Sequence, residues 1–161
     1  MPINPRNFIF VILANFGVQY LAGRYLIIFD TIPDLNLLLV LYLSFHFVDA
    51  TGLMAAFALG IFHDLVFRYQ LGSHSLVYVA IAYLANRAVP GRFELTPAKS
   101  FILCFYFAFL FAIGYEMLLP PAWGAGIFWK HSLFAFYSSA WSLPAFFLYE
   151  LGFQQTREPV F

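Results

Sequence analysis

Six apolar segments follow one another along this chain with only short polar breaks between them. Such a chain has too little polar surface to coat a water-soluble globule. Of its 161 residues 63% are hydrophobic and 10% are charged, whereas a soluble domain is nearer half apolar and a quarter charged. The 22 Phe, 10 Tyr and 3 Trp suit a polytopic membrane protein with aromatic residues at interfaces and between helices. The expected fold class is therefore all-α: a six-helix transmembrane bundle forming one domain over residues 1–161.

The segments run over about 7–28, 35–48, 52–67, 71–86, 100–119 and 129–152. Crossing the hydrocarbon core takes about 20 residues, with about 17 the usual lower limit. The second, third and fourth segments are short by that measure. They need interfacial flanks, local thinning of the bilayer or burial among other helices. Pro33-Asp34 suits the start of the second helix, where orphan N–H groups favour an acid. Asp49 and Thr51 can cap the third, and Ser73 or Ser75 the fourth. Pro90-Gly91 and Pro97 mark one loop, and Pro120-Pro121 with Gly124 and Gly126 the next. Pro144 should kink or break the sixth segment.

The N-terminal apolar run passes Ala22-Gly23 without a clean small-x-small cleavage site, so it reads as a retained first helix. With six spans, Arg6, Arg87, Arg92, Lys99 and Arg157 fall on one side and Arg24, Arg68 and Lys130 on the other. The positive-inside rule then places both termini in the cytoplasm. Net charge is zero, and no basic patch for nucleic acid or polybasic run for anionic lipid is present. Cys104 is the only cysteine, which excludes an internal disulfide and suits a small buried hydrophobe.

The third segment carries the anomaly. Gly52, Ala56, Gly60, Asp64 and Arg68 recur every four residues. Small residues at that spacing let two helix backbones approach closely. A carboxylate at membrane depth costs about 2.5–3.5 kcal/mol on insertion scales, so Asp64 should face protein or water. Two roles follow: a packing anchor, tied to Arg68 or to a neighbouring backbone, or a contact in a partner interface or ligand pocket. A proton relay would rest on this one acid alone.

Other chemistry is sparse. A zinc site needs three or four convergent ligands, and His63, adjacent to Asp64, points away from it on a helix. His63 and His74 flank this region and His46 and His131 lie elsewhere, so no metal is expected. Glu116 and Glu150, near the ends of the last two segments, should snorkel to an interface or pair with a base. There is no Gly-rich phosphate loop, no H-E-x-x-H and no G-x-S-x-G. The expectation is no catalytic residue, no cofactor and no enzymatic activity.

From Ile32 to Arg87 the motifs form an ordered set: Pro33-Asp34, Tyr42-Leu43, Gly52, Gly60, Asp64-Leu65, Leu71-Gly72, Leu76 and Tyr83-Leu84. This third of the chain resembles the bacterial rod shape-determining MreD family. That family shows Pro-Asp or Pro-Asn before its second helix, a G-x-x-x-G-x-x-x-D-L-like core, a short turn, L-G, and a helix ending near Y-L. The departure is Val66–Gln70, bulkier than the small or polar residues usual there. Arg68 and Tyr69 are then candidates for this chain's own partner contacts.

The resemblance implies a multi-pass protein of the bacterial inner membrane that maintains cell shape and organises lateral peptidoglycan synthesis. Its implied partner is the bitopic protein MreC, and through it MreB, RodA and a penicillin-binding transpeptidase. Membrane lipid and a second copy of the chain are further candidate partners. The implied fold is similar to the six-helix substrate-binding subunits of energy-coupling-factor vitamin transporters, and such a subunit is the alternative function. Those subunits carry A-x-x-x-A on the first helix, where this chain has Ala14, Val18 and Ala22. The bulkier valine counts against transport. A third reading, an enzyme acting on lipid-linked substrates, would have to rest on Asp64, His63 and Arg68. The residues singled out as a packing or partner surface are Gly52, Ala56, Gly60, Asp64, Arg68, Leu71 and Gly72, with Pro33 and Asp34 at a helix start.

Overall fold

A computed structural model describes residues 5–28, 31–46, 50–67, 70–88, 96–118 and 127–154. Among them the chain is helical: α1 Pro5–Tyr25, α2 Leu35–His46, α3 Ala50–Phe67, α4 Ser73–Ala88, α5 Pro97–Leu118, α6 Ile127–Ala140 and α7 Ser142–Gln154. The sixth apolar segment is thus two helices. They part at Trp141, three residues before Pro144, whose ring cannot sit beneath the carbonyl of a continuous preceding turn. The Trp141 N–H bonds Ser138 O at 3.1 Å, and the Ala145 N–H returns to Trp141 O at 3.0 Å, which starts α7.

Proline also corrects the start of α5. The sequence reading began this helix at residue 100, with Pro97 in the loop. The helix begins at Pro97 itself, where the missing N–H costs nothing and the fixed φ suits the first turn. Ser100 N–H already closes on Thr96 O at 2.9 Å. At 22 residues, α5 is the one helix among those described that is long and apolar enough to cross a membrane.

Helix α2 is the axis of the bundle. Every residue from Leu35 to Phe45 is buried, and α2 packs against each of the other six helices. Around it an apolar core encloses buried polar side chains, while many large apolar ones are exposed. Asn15, Gln19, Asp34, Asn36, His63, Asp64 and His74 are buried, while Phe10, Met54 and Ile102 are 70%, 71% and 65% exposed. Single exposed hydrophobes are ordinary, but this many around a core that also buries polar groups are not.

The polar interior serves the helix starts. Asp34 Oδ1 accepts from Leu37 N–H at 3.0 Å, the N-cap of α2. Gln19 on α1 accepts from Leu35 N–H at 2.6 Å and donates to Pro33 O at 3.1 Å. Ser138 on α6 accepts from Asp34 N–H at 3.2 Å. Asn15 donates to Asn36 Oδ1 at 2.7 Å, and the Tyr149 hydroxyl on α7 shares its one hydrogen between Asn15 Oδ1 and Leu35 O. Burying an unpaired N–H costs more than a formed bond returns, so α2 can start deep inside only because three other helices supply partners.

Candidate functional site

The residues with most chemical potential gather where α3 ends and α4 begins. Asp64 lies near the end of α3 and is 1% exposed. Its Oδ2 accepts from Gly72 N–H at 2.7 Å. The His74 N–H is shared between both oxygens at 3.3 and 3.4 Å. Ser73 Oγ donates to Oδ1 at 3.2 Å, and His74 Nδ1 meets Oδ1 at 2.6 Å. An ionised carboxylate only accepts, so His74 carries its hydrogen on Nδ1. Asp64 therefore caps α4 from the neighbouring helix, with negative charge at the positive end of the α4 dipole.

The cap needs a particular turn. Gly72 has φ +95°, a region open to glycine and strained for residues with a Cβ. That conformation turns the Gly72 N–H onto Asp64. The turn explains why Leu71-Gly72 follows Asp64 so closely in sequence. Leu71 itself is exposed. The serines expected to cap α4 do other work: Ser73 donates to Asp64, and Ser75 Oγ donates to Phe57 O at 3.0 Å on α3.

Close approach of the two helices makes these bonds reachable. A Cβ on Gly60 would stand 2.3 Å from Ser75 Cα and 2.4 Å from Ser75 N. Gly52, Ala56, Gly60 and Asp64 are all buried, so this part of the stripe faces protein. Arg68, the expected ion-pair partner of Asp64, and Asp49, an expected cap of α3, lie outside the described residues, as does Tyr69.

The network does not end at Asp64. The His74 ring stacks on His63 with centroids 4.2 Å apart. His63 Nδ1 lies 3.0 Å from the Tyr78 hydroxyl, which donates to Asp34 Oδ2 at 2.8 Å. Because Tyr78 gives its hydrogen to Asp34, it accepts from His63. The chain of groups thus runs from the cap of α2 through Tyr78, His63 and His74 to the cap of α4. His63 and Asp64 do point in different directions, as adjacent helical residues must, yet both end on His74. The sequence places His74 beside this region without giving it a role and does not single out Tyr78; their spacing from Asp64 and Asp34 carries no local signal.

This arrangement holds helices together. Both oxygens of Asp64 are engaged and the group is buried. Among the described residues no three His, Cys, Asp or Glu side chains converge as metal ligands would. An open cleft of about 230 Å³ lies nearby, lined in part by Tyr115, whose ring centroid is 4.6 Å from that of His74. Compared with protein-family models, with curated proteins and with solved structures, the chain finds no match in any of the three.

Proposed function

We propose that this chain is a non-enzymatic membrane scaffold of the bacterial elongation machinery, in the manner of the MreD family. On this reading it sits in the inner membrane as a multi-pass bundle with both termini cytoplasmic. It binds an MreC-like bitopic protein, and through that partner it helps organise MreB, RodA and a penicillin-binding transpeptidase in lateral wall synthesis.

The observation that carries the reading is the use made of Asp64. The most reactive-looking residue of the chain is consumed in capping α4, together with the Gly60 contact and the Gly72 turn. Asp64 and Gly72 are also positions of the D-L and L-G resemblance, which supports a packing role for that part of the motif. The shell of exposed apolar side chains supports placement in lipid. The transporter alternative draws less support: the bulkier Val18 stands between Ala14 and Ala22 where those subunits carry a small residue.

The test is isolation of the tagged chain from native membranes after mild crosslinking, with identification of what accompanies it. An MreC-like bitopic protein in the eluate supports the proposal. A bound vitamin with no such partner overturns it in favour of transport.

A further inference from the structure

Where α5 ends and α6 begins, the bundle opens in the cleft of about 230 Å³. Phe111, Tyr115 and Glu116 line it from α5, and Lys130, His131 and Phe134 from α6. The acid thus stands on one helix and the bases on the other, above apolar walls. Glu116 lies near the last residue of α5 and Lys130 near the first of α6. For a helix long enough to span, side chains that close to its end lie at headgroup depth.

The charges do not satisfy one another. Among the described residues, neither Glu116 nor Lys130 nor His131 forms an ion pair or a side-chain hydrogen bond. Opposite charges facing one small cleft while held beyond 4.0 Å leave room for a ligand carrying both signs. An anion alone would leave Glu116 opposed to it, and a cation alone would face Lys130. A zwitterion with its charges at opposite ends answers both walls.

We propose that this cleft holds the headgroup of a phosphoethanolamine phospholipid, with phosphate toward Lys130 and His131 and ammonium toward Glu116. An acyl chain then follows the apolar side of the cleft at Phe111 and Phe134. The ethanolamine ammonium offers N–H donors to the Glu116 carboxylate, which the quaternary ammonium of choline lacks. Phosphatidylglycerol has no cation for Glu116 at all. The inference rests on the membrane reading of the chain, since only there does the cleft meet lipid.

The experiment is native mass spectrometry of the full chain in detergent with equal amounts of dioleoyl phosphatidylethanolamine, phosphatidylcholine and phosphatidylglycerol. Phosphatidylethanolamine is retained about tenfold over either competitor, the scale of one hydrogen bond to a charged group. Glu116→Gln collapses the preference over phosphatidylcholine, and Lys130→Gln lowers retention of all three lipids. Equal retention of the three by the unaltered chain overturns the proposal, as does a preference that survives both substitutions. Displacement of the lipid by equimolar glycerophosphoethanolamine also overturns it, because the site would then recognise a soluble zwitterion. Vesicle flotation separates the two levels of failure. A chain that stays in the aqueous phase without detergent sinks the membrane reading itself. A chain that floats with vesicles but shows no lipid preference sinks only this inference.

Discussion

Gly60→Ala puts the α3–α4 contact to a test of sign. On helix propensity alone the change stabilises a helix interior by about 1 kcal/mol. The geometry demands the opposite. The new Cβ would stand 2.3 Å from Ser75 Cα, while ordinary contact starts at 3.4 Å, so α4 must retreat by roughly 1.1 Å. Backbone, not a flexible side-chain tip, is what it meets. The same retreat stretches the 2.6 and 2.7 Å contacts of Asp64 with His74 Nδ1 and Gly72 N to about 3.7 and 3.8 Å, beyond hydrogen-bonding range. Overpacking costs about 1–3 kcal/mol, and bonds to a charged acceptor about 1.5–3 kcal/mol each. With partial relaxation the expected loss is about 3–5 kcal/mol.

The assay is unfolding in mixed micelles, followed by circular dichroism, with Gly17→Ala as the matched control. A Cβ at Gly17 meets nothing within 4 Å, so that variant gains up to about 1 kcal/mol. If Gly60→Ala behaved like Gly17→Ala, the argument from close approach would be refuted. A second arm tests transmission to the cap. In an Asp64→Asn background Gly60→Ala should cost less, with a coupling of about 1 kcal/mol or more. Strict additivity would leave the clash standing but sever it from Asp64.

Other consequences are open to the same measurement. Gly72→Ala strains a backbone at φ +95° without meeting any neighbour, so it loses about 1–2 kcal/mol; a neutral result would mean that the turn readily adopts another conformation. Tyr78→Phe removes the hydroxyl that donates to Asp34 and accepts from His63, and stability falls by about 1–3 kcal/mol with both partners left buried. An unchanged melting curve would show that the link between the two caps carries no load. Cys104 is fully buried, so maleimide should label the folded chain far more slowly than the chain unfolded in SDS. Comparable rates would contradict the packing of α5 against its neighbours.

What the sequence made legible was local. The four-residue recurrence from Gly52 to Asp64 identified a face meant for close packing, and the expense of a buried carboxylate required that Asp64 find partners. Leu71-Gly72 could be singled out by its order behind Asp64, although only the positive φ explains it. Pro33-Asp34 announced a helix start because N-cap chemistry is short-range. The partners themselves were not legible. Asp34 meets Tyr78 from 44 residues away, and Tyr149 reaches Asn15 across 134. A tyrosine in an apolar helix reads the same whether it anchors at an interface or closes a buried bond. The described partners of Asp64, Gly72, Ser73 and His74, belong to the start of the next helix, which helical i+4 spacing does not reach. Pro97 read as a loop residue for a related reason: only the helix after it distinguishes a first-turn proline from a breaker.

The burial of α2 from Leu35 to Phe45 bears on how such a chain enters a bilayer. Its 12 residues extend about 18 Å, well short of a hydrocarbon core about 30 Å thick. Helices that insert one by one and associate afterwards must each be stable alone in lipid. In the proposed membrane setting α2 fails that condition, and its first turn depends on Gln19 and Ser138, which leave the ribosome 14 residues before Pro33 and 104 residues after Asp34. Biogenesis of this bundle is therefore a matter of delayed completion. The central helix waits, held by its earlier neighbours, until the last third of the chain has been synthesised and can close around it.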